Sequence, residues 1–185
     1  MKVALSGLGG DELFCGYAFF GWFNDKMARE KTSCLDRVFV QGHDRYPNRW
    51  TFSRIIKSGS VNDRLALMQR GYSDYAIRNM LSLGIRRNFT SGHVQRYIAS
   101  LGLSDADQVF RASKYECKNY LLNTLLRDAD AVSMGHGLEV RPVFLDHLLA
   151  EFALAMPSTS KWRNGIGKAV LKDAAKDLLP VNFFN

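Results

Sequence analysis

The amino terminus constrains the fold of this chain more than any other stretch. A short apolar run, Val3-Ala4-Leu5, is followed at once by a glycine-rich segment, residues 6–17, that reads SGLGGDELFCGY. This order predicts a β-strand, a tight turn and the start of a helix, because glycine permits positive φ and lets the backbone approach a ligand closely. Outward-pointing backbone amides at such a turn favour an anion such as a phosphate.

Two acidic residues follow these glycines. Asp11 and Glu12 lie where the turn meets the predicted helix. Carboxylates beside a phosphate-sized hollow suit Mg²⁺, which protein carboxylates and substrate phosphates commonly share. A structural alternative stays open, because acids in a first helical turn are also favoured by capping and by the helix dipole. The pattern alone does not decide between a nucleotide site and an ordinary glycine turn.

A second distinctive segment covers residues 127–147. Glu139 and Arg141 flank Val140, so an extended backbone places both charged side chains on the same side. Pro142 excludes a regular helix through this point. The pattern by itself is compatible with a structural salt bridge and with a functional charged pair.

Both segments resemble signatures of the synthetase domain of glutamine-hydrolysing asparagine synthetases. The matches at residues 6–17 and 127–147 occur in the same order as in that family. The resemblance implies a mainly α chain, namely the C-terminal helical portion of an α/β synthetase domain of the adenine-nucleotide α-hydrolase-like (PP-loop) class, with one short N-terminal strand. Residues 1–185 are expected to form a single partial domain, because nothing in them matches the family's pyrophosphate loop or its glutaminase domain.

The activity that the resemblance implies is ATP-dependent amide formation. In that family aspartate attacks the α-phosphate of ATP, and ammonia from glutamine captures the acyl adenylate, which gives asparagine, AMP and pyrophosphate. The implied cofactors are ATP and Mg²⁺, with Asp11 as the metal ligand. Glu139 and Arg141 are the implied catalytic residues of the amino-acid pocket. The implied nucleotide contacts are Ser6, Gly7, Gly9 and Gly10.

The chain departs from that family at two points. Many members carry an acid where this chain has Leu8, and that acid acts in forming or capturing the adenylate, so the substrate and the nitrogen donor stay open. A family lysine that follows Leu179-Pro180 is also absent. We therefore expect an inactive fragment, or one half of a split enzyme whose companion chain carries the other half. The alternatives are a ligase of the β-lactam or peptide-cyclising kind and a non-catalytic helical subunit.

Composition limits the other classes of function. The 185 residues are 46% hydrophobic and 23% charged, as in globular domains. The net charge of +7 raises the question of nucleic-acid binding. The basic residues are scattered, however, and Arg86-Arg87 is too short for a binding arm, so no nucleic-acid partner is expected.

The three cysteines suit neither a disulfide framework nor a zinc site. Without an apolar stretch long enough for a bilayer or a signal pattern, we expect no membrane association and a cytoplasmic location.

Apolar periodicity predicts helices along the rest of the chain. The expected helices cover residues 63–83, 94–101, 104–126, 145–156 and 170–179. Asp128 or Asp130 is a candidate cap for the helix that follows them. An Asn-Gly-x-x-Lys stretch, residues 164–168, is similar to one in the resembling family. It is interpreted as a glycine turn before a packed helix, because it lacks the spacing and the hydroxyl residue of a phosphate loop. The aromatic run predicted to pack in a core or interface comprises Phe19, Phe20, Trp22 and Phe23.

Overall fold

A computed structural model describes residues 2–23, 61, 65, 78–88, 93–102, 107–180 and 183. The chain divides into two compact units, one formed by Met1–Asn24 with Asp105–Asn185 and the other by Asp25–Ser104. The glycine-rich segment and the second distinctive segment both belong to the first unit. In the part of the chain that the structure describes, no helix is long and apolar enough to cross a membrane.

The first unit contains a two-stranded parallel sheet. Strand β1 (Val3–Ser6) pairs with β2 (Glu139–Pro142), with Val3 opposite Glu139 and Ser6 opposite Pro142. The N-terminal strand was predicted, and the extended backbone at residues 139–141 is confirmed. The pairing itself was not predicted, because it joins segments that are far apart in the sequence. It places the ends of the two distinctive segments side by side.

A glycine turn leads from β1 into helix α1 (Gly10–Phe14), which confirms the predicted order of strand, turn and helix. Gly9 precedes the helix with φ of 88°, and a Cβ at this position would lie 2.3 Å from Cδ2 of Leu145. Both the positive φ and the close approach require glycine at this turn.

The aromatic run forms a short 3₁₀ helix, Ala18–Phe23, after α1. The side chains of Phe20 and Phe23 are buried. Tyr17 stacks on Phe19, with ring centroids 5.2 Å apart. Core packing is therefore confirmed for Phe20 and Phe23.

In the second unit, the described residues form helices α2 (Leu83–Asn88) and α3 (His93–Ser100). Helix α3 confirms the expected helix at residues 94–101, and its Ile98 is buried. Most of the helix expected at residues 63–83 lies outside the described residues. Within it, Leu65 is buried and residues 78–80 are helical.

Helix α4 (Gln108–Glu116) begins at Asp107, whose Oδ1 accepts a hydrogen bond of 3.0 Å from the amide of Phe110. Such a cap satisfies an amide that the first helical turn leaves without a partner. The helix expected from residue 104 is therefore confirmed from residue 108 onward, and residues 104–106 of that expectation lie outside the described part of the chain.

The helical backbone continues without a break beyond α4. A π-helix, Cys117–Leu125, joins α4 to helix α5 (Leu126–Gly135). The predicted capping role of Asp128 or Asp130 is wrong, because both residues lie inside α5. The next α-helix is capped instead by Asp146, whose Oδ1 accepts from the amides of the following turn.

Three helices complete the first unit: α6 (His147–Ala155), α7 (Ser158–Lys161) and α8 (Ala169–Ala175). Helix α6 confirms the helix expected at residues 145–156. Helix α8 confirms the last expected helix, although it ends four residues earlier than residue 179.

The core of the first unit forms where α1 meets α6. Leu13, Phe14 and Ala153 are fully buried there. Helix α6 buries only one side, because Leu148 and Phe152 are 66% and 62% exposed. The sequence pattern predicted an apolar face on this helix but not that half of it would lie open. The partly buried residues around this core include Phe144, Leu145, Leu149, Leu154, Val170 and Leu171.

Candidate functional site

The glycine turn follows β1 at the carboxyl ends of the two strands, which is called the carboxyl edge of the sheet here. Ser6 lies opposite Pro142 at the carboxyl end of the parallel pair. In α/β proteins ligands bind outside the carboxyl ends of parallel strands. Gly7 is exposed at this edge, and no atom lies within 4 Å of the place where its Cβ would stand.

The turn satisfies two of its own amides. Oγ of Ser6 accepts a hydrogen bond of 3.2 Å from the amide of Leu8, and the carbonyl of Gly7 accepts one of 3.2 Å from the amide of Gly10. Among the residues that the structure describes, none accepts from the amides of Gly7 or Gly9. The Ser6 hydroxyl can still donate its proton, because the hydrogen bond with Leu8 uses only the oxygen.

The four predicted nucleotide contacts therefore divide into two pairs. Ser6 and Gly7 lie at the open edge of the sheet. Gly9 and Gly10 are buried, and a Cβ on Gly10 would come within 3.1 Å of the Phe144 ring. The second pair lets the turn pack closely against the segment that follows β2.

Asp11, the predicted metal ligand, forms an ion pair. Its Oδ1 lies 2.9 Å from Nζ of Lys168, and each of the two side chains is 36% exposed. No sequence pattern indicated this partner, although the Asn-Gly-x-x-Lys stretch was singled out. Lys168 is therefore a residue of the site that sequence reasoning missed.

Two glycines allow this ion pair to form. A Cβ on Gly16 would lie 1.9 Å from Oδ1 of Asp11 and 2.3 Å from Cε of Lys168. A Cβ on Gly167 would lie 2.0 Å from the carbonyl oxygen of Cys15. The amide of Lys168 donates a hydrogen bond of 2.9 Å to the carbonyl of Phe14. The turn before α8 thus fits directly against the end of α1.

Glu12 has a different environment from its neighbour. Its side chain is 1% exposed, and Oε1 accepts a hydrogen bond of 2.6 Å from the hydroxyl of Tyr17. Its backbone carbonyl accepts another of 2.6 Å from Oγ of Ser113 on α4. Burial and the hydrogen bond with Glu12 raise the pKa of the Tyr17 hydroxyl. Glu12 therefore fixes α1 to the protein interior. Of the two acids predicted to lie beside a phosphate-sized hollow, only Asp11 remains a candidate.

Two cysteines and a lysine have shifted pKa values: Cys15 and Lys161 are buried, and Cys117 is partly buried. Burial raises the pKa of the Cys15 thiol and of the Cys117 thiol to about 12 each. Burial lowers the pKa of Lys161, whose Nζ donates a hydrogen bond of 2.9 Å to the carbonyl of Ala153. Since the thiolate is the reactive form of cysteine, these two thiols are poor nucleophiles at neutral pH.

Glu139 and Arg141 lie on the same face of β2, as predicted. Nε of Arg141 lies 2.7 Å from Oε1 of Glu139, with the side chains 64% and 52% exposed, respectively. The hydrogen bond that Arg141 donates to Glu139 raises the pKa of the Arg141 guanidinium. Leu5, which pairs with Arg141 in the sheet register, is also exposed. No ion pair within the described residues joins this pair to Asp11 or Lys168.

A protein-enclosed metal centre is absent from the described part of the chain, where no three His, Cys, Asp or Glu residues are grouped to hold an ion. Asp11 nevertheless supplies a carboxylate that is partly exposed in the first turn of α1. Mg²⁺ in phosphate-transfer sites is commonly held by one or two carboxylates together with substrate phosphates. One such carboxylate fits the protein's share of that arrangement.

Comparison with known proteins finds asparagine synthetases. The sequence profile of the asparagine synthase family matches residues 1–185. Asparagine synthetase [glutamine-hydrolyzing] 1 of Bacillus subtilis (strain 168) is 24% identical over 188 residues, which cover 100% of this chain and 29% of that protein. Asparagine synthetase [glutamine-hydrolyzing] 3 of the same organism is 26% identical over 156 residues, which cover 80% of this chain and 23% of that protein.

The chain thus spans less than a third of the length of the curated relatives it matches. No solved structure matches it. The profile match extends over both distinctive segments and over everything between them. This chain therefore belongs to the asparagine synthase family.

Proposed function

We propose that this chain forms part of an ATP-dependent ligase that converts a carboxylate into an amide. Two observations carry the proposal: Gly7 is exposed at the carboxyl end of β1, and the carboxylate of Asp11, in the first turn of the helix that follows, is 36% exposed. The named relatives are glutamine-hydrolysing asparagine synthetases. By similarity, the proposed substrates are aspartate, ATP and ammonia from glutamine, with an acyl adenylate as the intermediate.

The proposed nucleotide contacts follow from the groups that remain available at the turn. The Gly7 amide and the Ser6 hydroxyl can both donate to phosphate oxygens. Asp11 would hold Mg²⁺, which supplies positive charge to the phosphates as pyrophosphate departs. Gly9 and Gly10 contribute indirectly, because their close packing fixes the course of the turn.

We propose that Glu139 and Arg141 recognise the amino-acid substrate. Glu139 accepts from Nε of Arg141, which leaves the two terminal nitrogens of the guanidinium to donate. A guanidinium recognises a carboxylate with parallel hydrogen bonds, so these nitrogens suit the carboxylate of an amino acid. Glu139 would orient Arg141 and offer its second oxygen to an ammonium group.

We also propose that a complete site needs protein outside these 185 residues. A two-stranded sheet is marginal by itself, and parallel sheets are normally covered on both faces. Here Leu5 is 75% exposed on one face of the pair. The chain by itself is therefore expected to release no pyrophosphate from ATP and aspartate, and a companion segment would complete the enzyme.

Displacement of a fluorescent ATP analogue by ATP and by pyrophosphate, in the presence of Mg²⁺, tests the proposal. We expect both compounds to displace the analogue and Asp11→Asn to weaken the binding of both. Asp173→Asn is the matched control, because Asp173 also pairs with a basic residue of the turn before α8, Arg163. Equal loss of binding in both variants would overturn the proposed role of Asp11.

A further inference from the structure

Lys168 forms an ion pair with the Asp11 carboxylate, which the proposed function assigns to a metal ion. We propose that Lys168 is the resident counter-cation of Asp11, and that a divalent cation binds Asp11 by displacing the Lys168 ammonium group. This inference rests on the proposed metal role of Asp11. It adds that the Lys168 ammonium group must release Asp11 before a metal ion binds there.

The backbone of Lys168 is held by a hydrogen bond, whereas its side chain is 36% exposed. Its amide donates to the carbonyl of Phe14 at 2.9 Å, and its φ of 56° places it in the left-handed region at the start of α8. The flexible four-carbon stem then carries Nζ to within 2.9 Å of Oδ1 of Asp11. The ammonium can therefore leave Asp11 without any change in the packing of α8 on α1.

The space beneath the ion pair is made by a glycine that needs no special backbone conformation. Gly16 is not among the residues with positive φ. A Cβ there would nevertheless lie 1.9 Å from Oδ1 of Asp11 and 2.3 Å from Cε of Lys168. Glycine is therefore needed at position 16 because Asp11 and Lys168 approach it closely, and not because the backbone has a positive φ.

The ion pair is weak enough to exchange. Both side chains are 36% exposed, so water and dissolved cations reach them. An exposed pair of this kind changes an equilibrium by about two- to fivefold. A divalent cation bound to Asp11 would be repelled by the positive charge of the Lys168 ammonium group a few ångströms away. The two cations therefore cannot both bind Asp11 strongly.

The test follows Mn²⁺ binding through its paramagnetic broadening of one amide signal in the 185-residue chain. Labelling cysteine with ¹³C at the carbonyl and glycine with ¹⁵N selects the Gly16 amide, because Cys15-Gly16 is the only Cys-Gly step in the sequence. The Mn²⁺ concentration that gives half-maximal broadening is compared among the wild type, Lys168→Met, Lys168→Arg, Arg163→Met and Asp11→Asn. Arg163→Met is matched to Lys168→Met, because it removes one positive charge from the same turn.

We expect Lys168→Met to lower the half-maximal Mn²⁺ concentration by about two- to fivefold. Lys168→Arg and Arg163→Met should stay near the wild-type value, and Asp11→Asn should abolish the broadening. Lys168→Gln serves as the uncharged variant if Lys168→Met loses the fold. Broadening that depends on Asp11 but has the same midpoint with and without the Lys168 charge overturns the exchange and leaves the metal role standing. Broadening that Asp11→Asn does not change overturns the metal role itself.

Discussion

Tyr17 donates its hydroxyl proton to Oε1 of Glu12 across 2.6 Å, and this bond gives two adjacent acids different roles. Glu12 turns into the protein interior, where its backbone carbonyl is also bonded to Ser113. Asp11 remains 36% exposed and pairs with Lys168. The glycine-rich segment therefore holds α1 in the interior through Glu12 and carries a candidate metal ligand, Asp11.

Removal of the Tyr17 hydroxyl should destabilise the first unit. In Tyr17→Phe the buried Glu12 carboxylate loses a hydrogen-bond partner, and an unsatisfied buried acceptor costs about 1–3 kcal/mol. Urea unfolding measures the change in the free energy of unfolding. Tyr97→Phe is the control, because Tyr97 is 42% exposed and should tolerate the change. Equal effects of the two substitutions would show that the bond from Tyr17 to Glu12 does not matter for stability.

Gly16→Ala should be far more harmful than an alanine at a glycine with open surroundings. Its Cβ would overlap Asp11 and Lys168, which forces the ion pair apart. Gly84→Ala is the comparison, because Gly84 lies in α2 with nothing within 4 Å of its Cβ position, and alanine there should be neutral or stabilise by up to about 1 kcal/mol. Thermal unfolding of both variants measures the difference. A Gly16→Ala protein as stable as Gly84→Ala would contradict the geometry at α1.

Alkaline pH should weaken the fold through two thiols, the buried Cys15 and the partly buried Cys117. Burial raises the pKa of Cys15 and of Cys117 from 9.0 to about 12, so between these values the unfolded chain loses protons that the folded chain keeps. Stability is therefore fully present below about pH 9 and falls as the pH rises, by about 1.4 kcal/mol per pH unit for each thiol. Urea unfolding across this range should show a shallower fall in Cys15→Ala and in Cys117→Ala. An unchanged slope in both variants would mean that the thiols ionise in the folded state.

Glu139→Gln separates the two interpretations of the charged pair on β2. Both side chains are more than half exposed, so we expect the loss of their attraction to change the free energy of unfolding by less than about 1 kcal/mol. Glu12→Gln is the comparison, because removal of a buried and hydrogen-bonded carboxylate should cost clearly more. A cost for Glu139→Gln as large as that for Glu12→Gln would make the pair a structural salt bridge rather than part of a pocket.

Local sequence rules predicted the elements of the site but not its long-range contacts. The glycines and the apolar run before them were sufficient for β1 and α1, and the spacing of Glu139 and Arg141 was sufficient for their shared face. The pairing of β1 with β2 and the contact of Lys168 with Asp11 join distant parts of the chain, which neither periodicity nor capping rules describe. The burial of Glu12 also depends on Tyr17, whose hydroxyl was not recognised as its partner.

The direct test of the central claim is where Mg²⁺ with ATP binds on the chain. Amide shifts of Gly7 and Gly16 are recorded with selective labels and assigned through Ser6→Ala and the Cys15-Gly16 step. Gly7 reports on the glycine turn, and Gly16 reports on the ion pair of Asp11 with Lys168. We predict saturable shifts of both amides with Mg²⁺ and ATP, lost in Asp11→Asn, retained in Asp173→Asn and not reproduced by a nucleic-acid polyanion. Unchanged Gly7 and Gly16 amides, or shifts that a polyanion produces equally well, would contradict the account.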